Sequence, residues 1–220
     1  MLGQDALSEA RPGRMPSVDL EHAQGGRTSR QGHRQSRRSL HARPPMTKTF
    51  EFTVVASGLD PAAEDFEDRF FDAGCADATI SFQKGLIVLE FDRLAKSFSH
   101  ALISAFEDVH KAGAKVERFE PDYLVSLTDI ANRTGLSKAA ISLYAKGERG
   151  DAFPLPIARV TSESPLWDWV DVSRWMAAHK KLPPEDVLRA RLVREANIVL
   201  RHDAAPRAKF AARIEALATA

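Results

Sequence analysis

The sequence predicts an α+β protein, because strand-like and helix-like patterns alternate along it. Between Phe50 and Ala56 apolar residues alternate with polar ones, as expected for a strand with one buried face. Gln83, Lys84 and Gly85 join two further strand-like runs and indicate a β-hairpin. Later segments space their apolar residues three and four positions apart, as amphipathic helices do.

Residues 46–121 are predicted to form the first folded domain. Its predicted elements are a strand at 50–56, a helix capped by Asp60 that runs from Pro61 to about Gly74, strands at 78–82 and 86–91, a helix capped by Ser97 or Ser99 that ends at Gly113, and a strand at 115–119. The residues expected to face inward from the two helices are Phe66, Phe70 and Phe71, and then Leu102, Ile103, Phe106 and Val109. The order βαββαβ predicts a ferredoxin-like sandwich, with two helices on one face of an antiparallel sheet.

The charge of this first domain disfavours nucleic-acid binding. Residues 46–121 contain eight basic and fourteen acidic side chains, and a surface of that sign repels phosphate. Cys75 is expected to be a small buried residue. Because a fold of this kind serves many functions, we expect a module for dimerisation, for sensing a small-molecule effector, or for binding a protein partner.

Residues 1–45 differ from the rest of the chain in composition. They contain eight Arg, four acidic residues and no Phe, Trp or Tyr, which predicts a segment that does not fold by itself. Three interpretations remain open: a basic arm that contacts phosphates, a transit-like segment, or an over-extended reading frame in which Met46 is the natural start.

Residues 127–146 predict two short helices around a tight turn. Ser126 can cap the first helix together with Asp129. Gly135 ends that helix, because a sharp turn needs a residue that tolerates positive φ. Ser137 caps the second helix, which is predicted to run from Lys138 to Lys146. The residues expected to hold the two helices together are Ile130, Ala131, Leu136, Ile141 and Tyr144.

This pattern resembles the helix-turn-helix of bacterial and phage repressors. The resemblance implies that the second helix enters the major groove of double-stranded DNA. We expect DNA contacts from Thr128, Ser137, Lys138, Ala139, Ser142, Lys146, Arg149 and Arg159. The alternative is an ordinary helical hairpin within a core, which requires no DNA.

The following residues extend the resemblance. Residues 153–160 predict an edge strand with two prolines, 161–165 a turn, 166–169 a returning strand, and Asp171 to Trp175 a short helix. That order resembles the winged helix-turn-helix of the MerR superfamily, especially its small excisionase and AlpA-like members. The resemblance rests on Phe153-Pro154-Leu155-Pro156, Trp167, Asp171-Val172 and Trp175, and covers about residues 123–178. An Arg-rich wing tip is common there, whereas this tip is Thr161-Ser162-Glu163-Ser164.

The predicted domains are therefore 46–121, a winged helix-turn-helix at 122–182 and C-terminal helices at 183–220. Within the last segment, helices are expected from Glu185 to Arg201 and from Arg207 to Ala218. They either pack on the domains or pair with a second copy of the chain. Residues 122–220 contain fifteen basic and twelve acidic side chains, so their net charge is positive and does not repel the phosphates of DNA as that of the first domain does.

Several classes of protein are disfavoured by the sequence. The single Cys75 cannot form an intramolecular disulfide, which suits a reducing cytoplasm. No apolar run approaches the ~20 residues of a membrane-spanning helix. His100 and His110 lack the i, i+4 spacing of a helical metal pair, and no phosphate loop or nucleophile motif is present. We therefore expect no enzyme activity, no cofactor and no metal.

The expected function is that of a transcriptional regulator in the cytoplasm, associated with the nucleoid. It is expected to bind double-stranded DNA as a homodimer, with its first domain free to bind an effector or a partner. Two alternatives remain: an antitoxin or adaptor that binds a partner protein and regulates its own gene, and an excisionase-like architectural factor.

Overall fold

The computed structural model describes residues 47–202 and 206–219, which lie within one compact unit spanning Pro44–Ala220. The predictions for residues 1–45 fall outside the described residues. Over the described ranges the chain has a four-stranded antiparallel sheet, a two-stranded sheet and seven helices. The predicted α+β class is confirmed. No helix within these ranges is long and apolar enough to cross a membrane.

The first part of the chain folds in the predicted order. Its elements are β1 (Lys48–Ser57), α1 (Phe66–Ala73), β2 (Ala78–Gln83), β3 (Leu86–Ala95), α2 (Phe98–Lys111) and β4 (Lys115–Glu120). The strands form one sheet in the order β2-β3-β1-β4, and every neighbouring pair is antiparallel. The inward face of β1 carries the predicted alternation, because Phe50, Phe52 and Val54 are all buried.

The predicted hairpin between β2 and β3 forms, but its loop is one residue shorter than expected because Gln83 is the last residue of β2. Gln83 pairs with Leu86, so Lys84 and Gly85 form a two-residue loop, with φ angles of 51° and 79°. Two successive positive φ angles are the pattern of a type I′ turn, whose twist matches that of the flanking strands.

The predicted start of the first helix is wrong. Residues 61–65 form turns, and α1 begins only at Phe66. The carboxylate of Asp60 accepts a hydrogen bond from the N–H of Ala62 at 3.0 Å, and this local bond holds a turn in place of a helix. Phe66 and Phe70 are buried as expected, but Phe71 is 67% exposed, since it lies about 100° around the helix from Phe70.

The second helix follows the prediction more closely. Of the two candidate caps, Ser97 is the N-cap of α2, and its hydroxyl accepts from the N–H of His100 at 3.3 Å. Leu102, Phe106 and Val109 are fully buried against the sheet, whereas Ile103 is partly buried. Cys75 is buried, as expected, and burial raises the pKa of its thiol to about 12.

Arg93 of β3 joins several elements of this part of the chain. It is 6% exposed, and its guanidinium donates to the carboxylates of Asp77 at 2.8 Å and Asp108 at 2.7 Å. It also donates to the hydroxyl of Ser104 at 3.0 Å and to the carbonyl oxygen of Gly74 at 2.9 Å. A buried cation with this many partners fixes α1 and α2 relative to β3.

The second part of the chain begins with the predicted pair of helices. Its elements are β5 (Leu124–Val125), α3 (Leu127–Thr134), α4 (Lys138–Ala145), β6 (Trp167–Asp168), α5 (Trp169–Ala178), α6 (Pro184–His202) and α7 (Pro206–Ala218). A second hydrophobic core lies beneath α3, α4 and α5, with one residue, Ala190, from α6.

The predicted two-stranded wing is wrong. Residues 153–160 form no strand, and only Ala158 and Leu166 form an isolated bridge. The two prolines in this segment lack N–H groups, so a regular ladder cannot extend along it. The returning strand is reduced to β6, and β6 pairs with β5, which lies before the helix pair. Helix α5 begins at Trp169 instead of Asp171, because Asp168 caps it through the N–H of Val170 at 2.7 Å.

The two C-terminal helices pack on the first part of the chain. Leu192, Val193, Ala196 and Val199 of α6 belong to the core of the four-stranded sheet. The ring of Phe210 on α7 stacks on Phe106 with centroids 4.0 Å apart. Of the two alternatives left open for this tail, the described chain adopts packing on a domain.

Asn197 of α6 closes the outer edge of β4. Its side-chain oxygen accepts from the N–H of Phe119 at 2.8 Å, and its side-chain nitrogen donates to the carbonyl oxygen of Phe119 at 2.9 Å. All these groups are buried. A single amide side chain therefore replaces a neighbouring strand at this position, which prevents the edge from leaving buried backbone groups unpaired.

Replacing Asn197 with alanine is expected to lower the free energy of unfolding by ~2–4 kcal/mol, because it leaves one donor and one acceptor of Phe119 buried without partners. Urea denaturation followed by circular dichroism measures this loss. The matched control is Asn132→Ala, the same substitution at an exposed position of α3, which should change stability by less than about 0.5 kcal/mol. Equal effects of the two substitutions would show that the contact with Phe119 contributes nothing.

Candidate nucleic-acid interface

The first helix of the pair is capped as its sequence predicts. The N–H of Ser126 donates to the carboxylate of Asp129 at 2.8 Å, and the N–H of Asp129 donates to the hydroxyl of Ser126 at 3.2 Å. These reciprocal bonds form a capping box. The hydrogen bond from the Ser126 hydroxyl lowers the pKa of Asp129, so the cap persists at neutral pH.

The turn between α3 and α4 also follows the prediction. Gly135 has a φ angle of 68°, in the left-handed region that glycine adopts without strain. Ser137 then caps α4, and its hydroxyl accepts from the N–H of Ala140 at 3.2 Å. Helix α4 ends one residue earlier than expected, because Lys146 is its C-cap and not its last helical residue.

Buried side chains hold the two helices in a fixed arrangement. Ile130 and Ile141 are fully buried, Ala131 and Tyr144 are nearly so, and Leu136 is partly buried against them. The small Ala131 allows close approach of the helices. The predicted contact set of the helix pair is thus confirmed.

Most of the residues expected to contact DNA lie on the surface. Those that are exposed are Thr128, Ser137, Lys138, Ala139, Lys146, Arg149 and Arg159. Ser142 is half-buried, although it was expected to point outward. Ser137, Lys138 and Ala139 lie together at the start of α4, Ser142 lies one turn further along, and Thr128 begins α3.

The cationic groups of this surface have no acidic partners. Lys138, Lys146 and Arg149 form no ion pair with any residue in the described ranges. Arg149 instead lies over the ring of Tyr144, 5.4 Å from its centroid. Glu148 is exposed between them and opposes part of their charge. Lys138 lies at the N-terminus of α4, where a cation and free N–H groups attract phosphate, whereas Lys146 and Arg149 lie at the opposite end of the helix.

Two tryptophans hold the segment that follows α4. The indole N–H of Trp175 donates to the carbonyl oxygen of Asp151 at 2.8 Å, and that of Trp167 donates to the carbonyl oxygen of Pro154 at 3.0 Å. The ring of Trp175 also lies 5.0 Å from that of Phe153. Trp167 and Trp175 therefore hold residues 151–154, a segment without strand structure.

The region assigned to the wing exposes apolar side chains. Leu155, Ile157 and Val160 are 83%, 54% and 62% exposed. Residues 153–160 were expected to form an edge strand, but in the described chain the segment has only the bridge between Ala158 and Leu166. Arg159 lies on this segment with a φ angle of 53°, and it is separated from the start of α4 along the chain.

Arg133, in the last turn of α3, was not among the residues predicted from the sequence to have a role. Its guanidinium lies over the ring of Trp169, 5.1 Å from the centroid, and donates to the carbonyl oxygen of Asp122 at 2.9 Å. The two partners come from separate parts of the chain, α5 and the segment before β5, so no spacing along the chain indicated these contacts. Within the described ranges, no group of three or more His, Cys, Asp or Glu side chains is arranged to hold a metal ion.

Comparisons with protein-family models, curated proteins and solved structures find no significant match to this chain. A functional proposal therefore rests on the contacts and charges described above.

Replacing Ile141 with alanine is expected to lower the free energy of unfolding by ~2–5 kcal/mol, because it opens a cavity between α3 and α4. The matched control is Leu143→Ala on the same helix, where the side chain is 37% exposed, and a loss below about 1 kcal/mol is expected. Chemical denaturation measures both losses. Similar values for the two variants would contradict the packing role of Ile141.

Proposed function

We propose that this chain is a sequence-specific DNA-binding transcriptional regulator with no enzymatic activity. The observation that carries the proposal is the exposed and unpaired Lys138 on the first turn of α4, next to the cap Ser137. A rigid buried contact set positions this helix, and the free cation lies where a recognition helix meets the major groove. We also propose that the helix pair belongs to a module like those of the MerR superfamily, especially its excisionase and AlpA-like members.

Each exposed residue has a role in this proposal. Lys138 reaches guanine or phosphate, and the short side chains of Ser137 and Ala139 allow the helix backbone to approach the bases. Ser142 forms a minor contact, because it is half-buried. Lys146, Arg149 and Thr128 contact the phosphate backbone and set the register of the protein on DNA. Arg159 adds a flanking phosphate contact.

The first domain serves regulation in this proposal. We assign it a ferredoxin-like fold on the basis of its element order and the strand order β2-β3-β1-β4. Its excess of acidic side chains, fourteen against eight basic, keeps it away from DNA. It binds an effector, a partner or a second copy of the chain. The protein then acts in the cytoplasm, at the nucleoid.

A second candidate function is that of an antitoxin-like adaptor or an excisionase-like architectural factor. Exposed apolar side chains at Leu155, Ile157 and Val160 favour it, since such a group on one segment suits contact with another protein. DNA binding through α4 is common to both candidates.

Lys138→Ala and Lys146→Ala distinguish base contacts from phosphate contacts. Binding-site selection with the full chain first supplies a duplex, and titrations against that duplex and a scrambled one follow at several salt concentrations. Lys138→Ala should cost ~1–3 kcal/mol and relax the preference at one base pair. Lys146→Ala should weaken binding to both duplexes equally and reduce the salt slope by about one.

The control for these titrations is Lys96→Ala, which removes an exposed lysine from the first domain and should leave both affinities unchanged. If all three variants bind like the original protein, α4 does not contact DNA. If selection returns no sequence at all, sequence-specific binding itself is wrong.

The proposed regulator is expected to be a homodimer on a two-fold-related site. One short recognition helix buries little surface, and specific affinities near ~10⁻⁸ M generally need two modules. The half-sites should lie about one helical turn, or a multiple of it, apart. Light scattering of the free protein and of its DNA complex measures the mass of each, and a monomer in both states would refute the prediction.

A further inference from the structure

A cavity of about 230 Å³ lies where the first domain, the helix pair and α6 meet. Its wall includes Phe98 at the start of α2, Tyr123 before β5, Arg133 of α3 and Trp169 of α5. Arg189 of α6 completes this side. Because every part of the described unit contributes a side chain, a molecule in the cavity would contact all of them at once.

Arg133 is an unpaired cation in this wall. Its Nη2 atom donates to the carbonyl oxygen of Asp122, but its Nη1 atom is buried and has no hydrogen-bond partner. No acidic side chain in the described ranges forms an ion pair with it. Burial lowers the pKa of Arg133, and the carboxylates of Asp129, Asp122 and Glu120 offset this only in part. Buried charges are normally paired. Arg133 is an exception, because its Nη1 atom has no hydrogen-bond acceptor among the described residues.

Other shielded arginines of the chain do have such partners. Arg93 is paired with both Asp77 and Asp108, and Arg194 is paired with Asp168 at 2.9 Å. Arg133 therefore differs from Arg93 and Arg194, which each form an ion pair with a carboxylate. A carboxylate is the partner that a guanidinium binds best, because two oxygens match its two N–H directions.

The rest of the wall indicates the body of the ligand. Phe98, Tyr123 and Trp169 contribute aromatic side chains to the wall. Arginine guanidinium groups lie over all three rings, so a flat ligand ring would lie beside them. The cavity is smaller than the ~300–1,000 Å³ of sites for drug-sized ligands, and this size suits a compound with one ring.

Two carboxylates in the wall indicate a further substituent. Asp186 lies 3.8 Å from Arg189, whereas Glu51 has no ion pair with any residue that the structure describes. An unpaired carboxylate accepts a hydrogen bond from an amino or hydroxyl group and disfavours a second negative charge on the ligand.

We propose that this cavity binds a small aromatic monocarboxylate that carries an amino or hydroxyl group. Its carboxylate pairs with the guanidinium of Arg133 at the cavity wall, and its ring lies beside Phe98, Tyr123 and Trp169. The amino or hydroxyl group donates to Glu51.

The site has a consequence for DNA binding that rests on the proposed function. Arg133 belongs to the last turn of α3, the first helix of the pair, and Arg189 belongs to α6. A ligand that binds better in one arrangement of α3 relative to α6 shifts the population toward it. Occupancy therefore changes the affinity of α4 for DNA.

The direct test uses the full chain without DNA. Benzoate, 4-hydroxybenzoate and 3-aminobenzoate are compared with their uncharged amides by saturation-transfer NMR and by titration calorimetry. The acids should bind at least about tenfold more tightly than the matching amides, and the substituted acids more tightly than benzoate. The proposal is overturned if no acid binds with a Kd below about 1 mM or if acids and amides bind equally.

Variants then assign the contact to Arg133. Arg133→Met should remove the preference for acids over amides. Arg174→Met, at an exposed position of α5, is the matched control and should keep the preference. A preference that survives Arg133→Met would overturn the assignment. The comparison of acids with amides on the unaltered chain does not depend on the folding of any variant.

The coupling is tested by titrating the selected duplex with and without saturating 3-aminobenzoate, where a change in affinity of about fivefold or more is expected. An unchanged DNA affinity in the presence of bound ligand would overturn the proposed coupling, but it would not affect the proposed ligand site. If the chain binds the acid but selects no DNA sequence, the regulatory proposal fails, and the ligand site stands on the direct titration alone.

Discussion

Helix α6 is the element on which the arrangement of the whole described unit depends. One stretch of it, from Leu192 to Val199, contributes to the core of the four-stranded sheet, while Ala190 belongs to the core beneath the helix pair. Apolar packing and the two hydrogen bonds of Asn197 together set the position of α6. Asn197 binds both backbone groups of Phe119, and these bonds allow only one register of helix against strand. The cavity beside Arg133 exists because α6 is held at that distance from α3.

Two kinds of buried polar contact stabilise the two parts of the chain. In the first part, the guanidinium of Arg93 is satisfied by two carboxylates, a hydroxyl and a carbonyl oxygen, and so fixes both helices on the sheet. In the second part, the indole N–H groups of Trp167 and Trp175 hold an irregular segment against the helix pair. The bonds of Arg93 satisfy a buried charge, and those of Trp167 and Trp175 satisfy the indole N–H groups of two buried side chains. Neither set of contacts involves the exposed residues of α4, so these residues remain available for the DNA contacts proposed for them.

Local sequence patterns predicted the elements whose stability is local. The capping residues Ser126 and Ser137, the turn at Gly135 and the hairpin at Lys84-Gly85 all formed as expected, because each depends on neighbours within four residues. Two of the failures have different causes. Helix α1 starts late because the side chain of Asp60 holds a turn, and the expected wing strand has no partner beyond the bridge between Ala158 and Leu166. The pairing of β5 with β6 joins residues more than forty positions apart, so no local pattern indicated it.

The sequence by itself determined the fold class, the order of elements in the first part, the helix pair and its contact set, and the exposure of Lys138 and Lys146. These follow from periodicity, capping and turn chemistry, which act over a few residues. Only the tertiary structure decided that α6 and α7 join the first core, that Asn197 closes the edge of β4, and that Arg133 lies unpaired beside a cavity. Each of these depends on side chains brought together from distant positions. Such contacts are set by the packing of whole elements, for which a single sequence contains no separate signal.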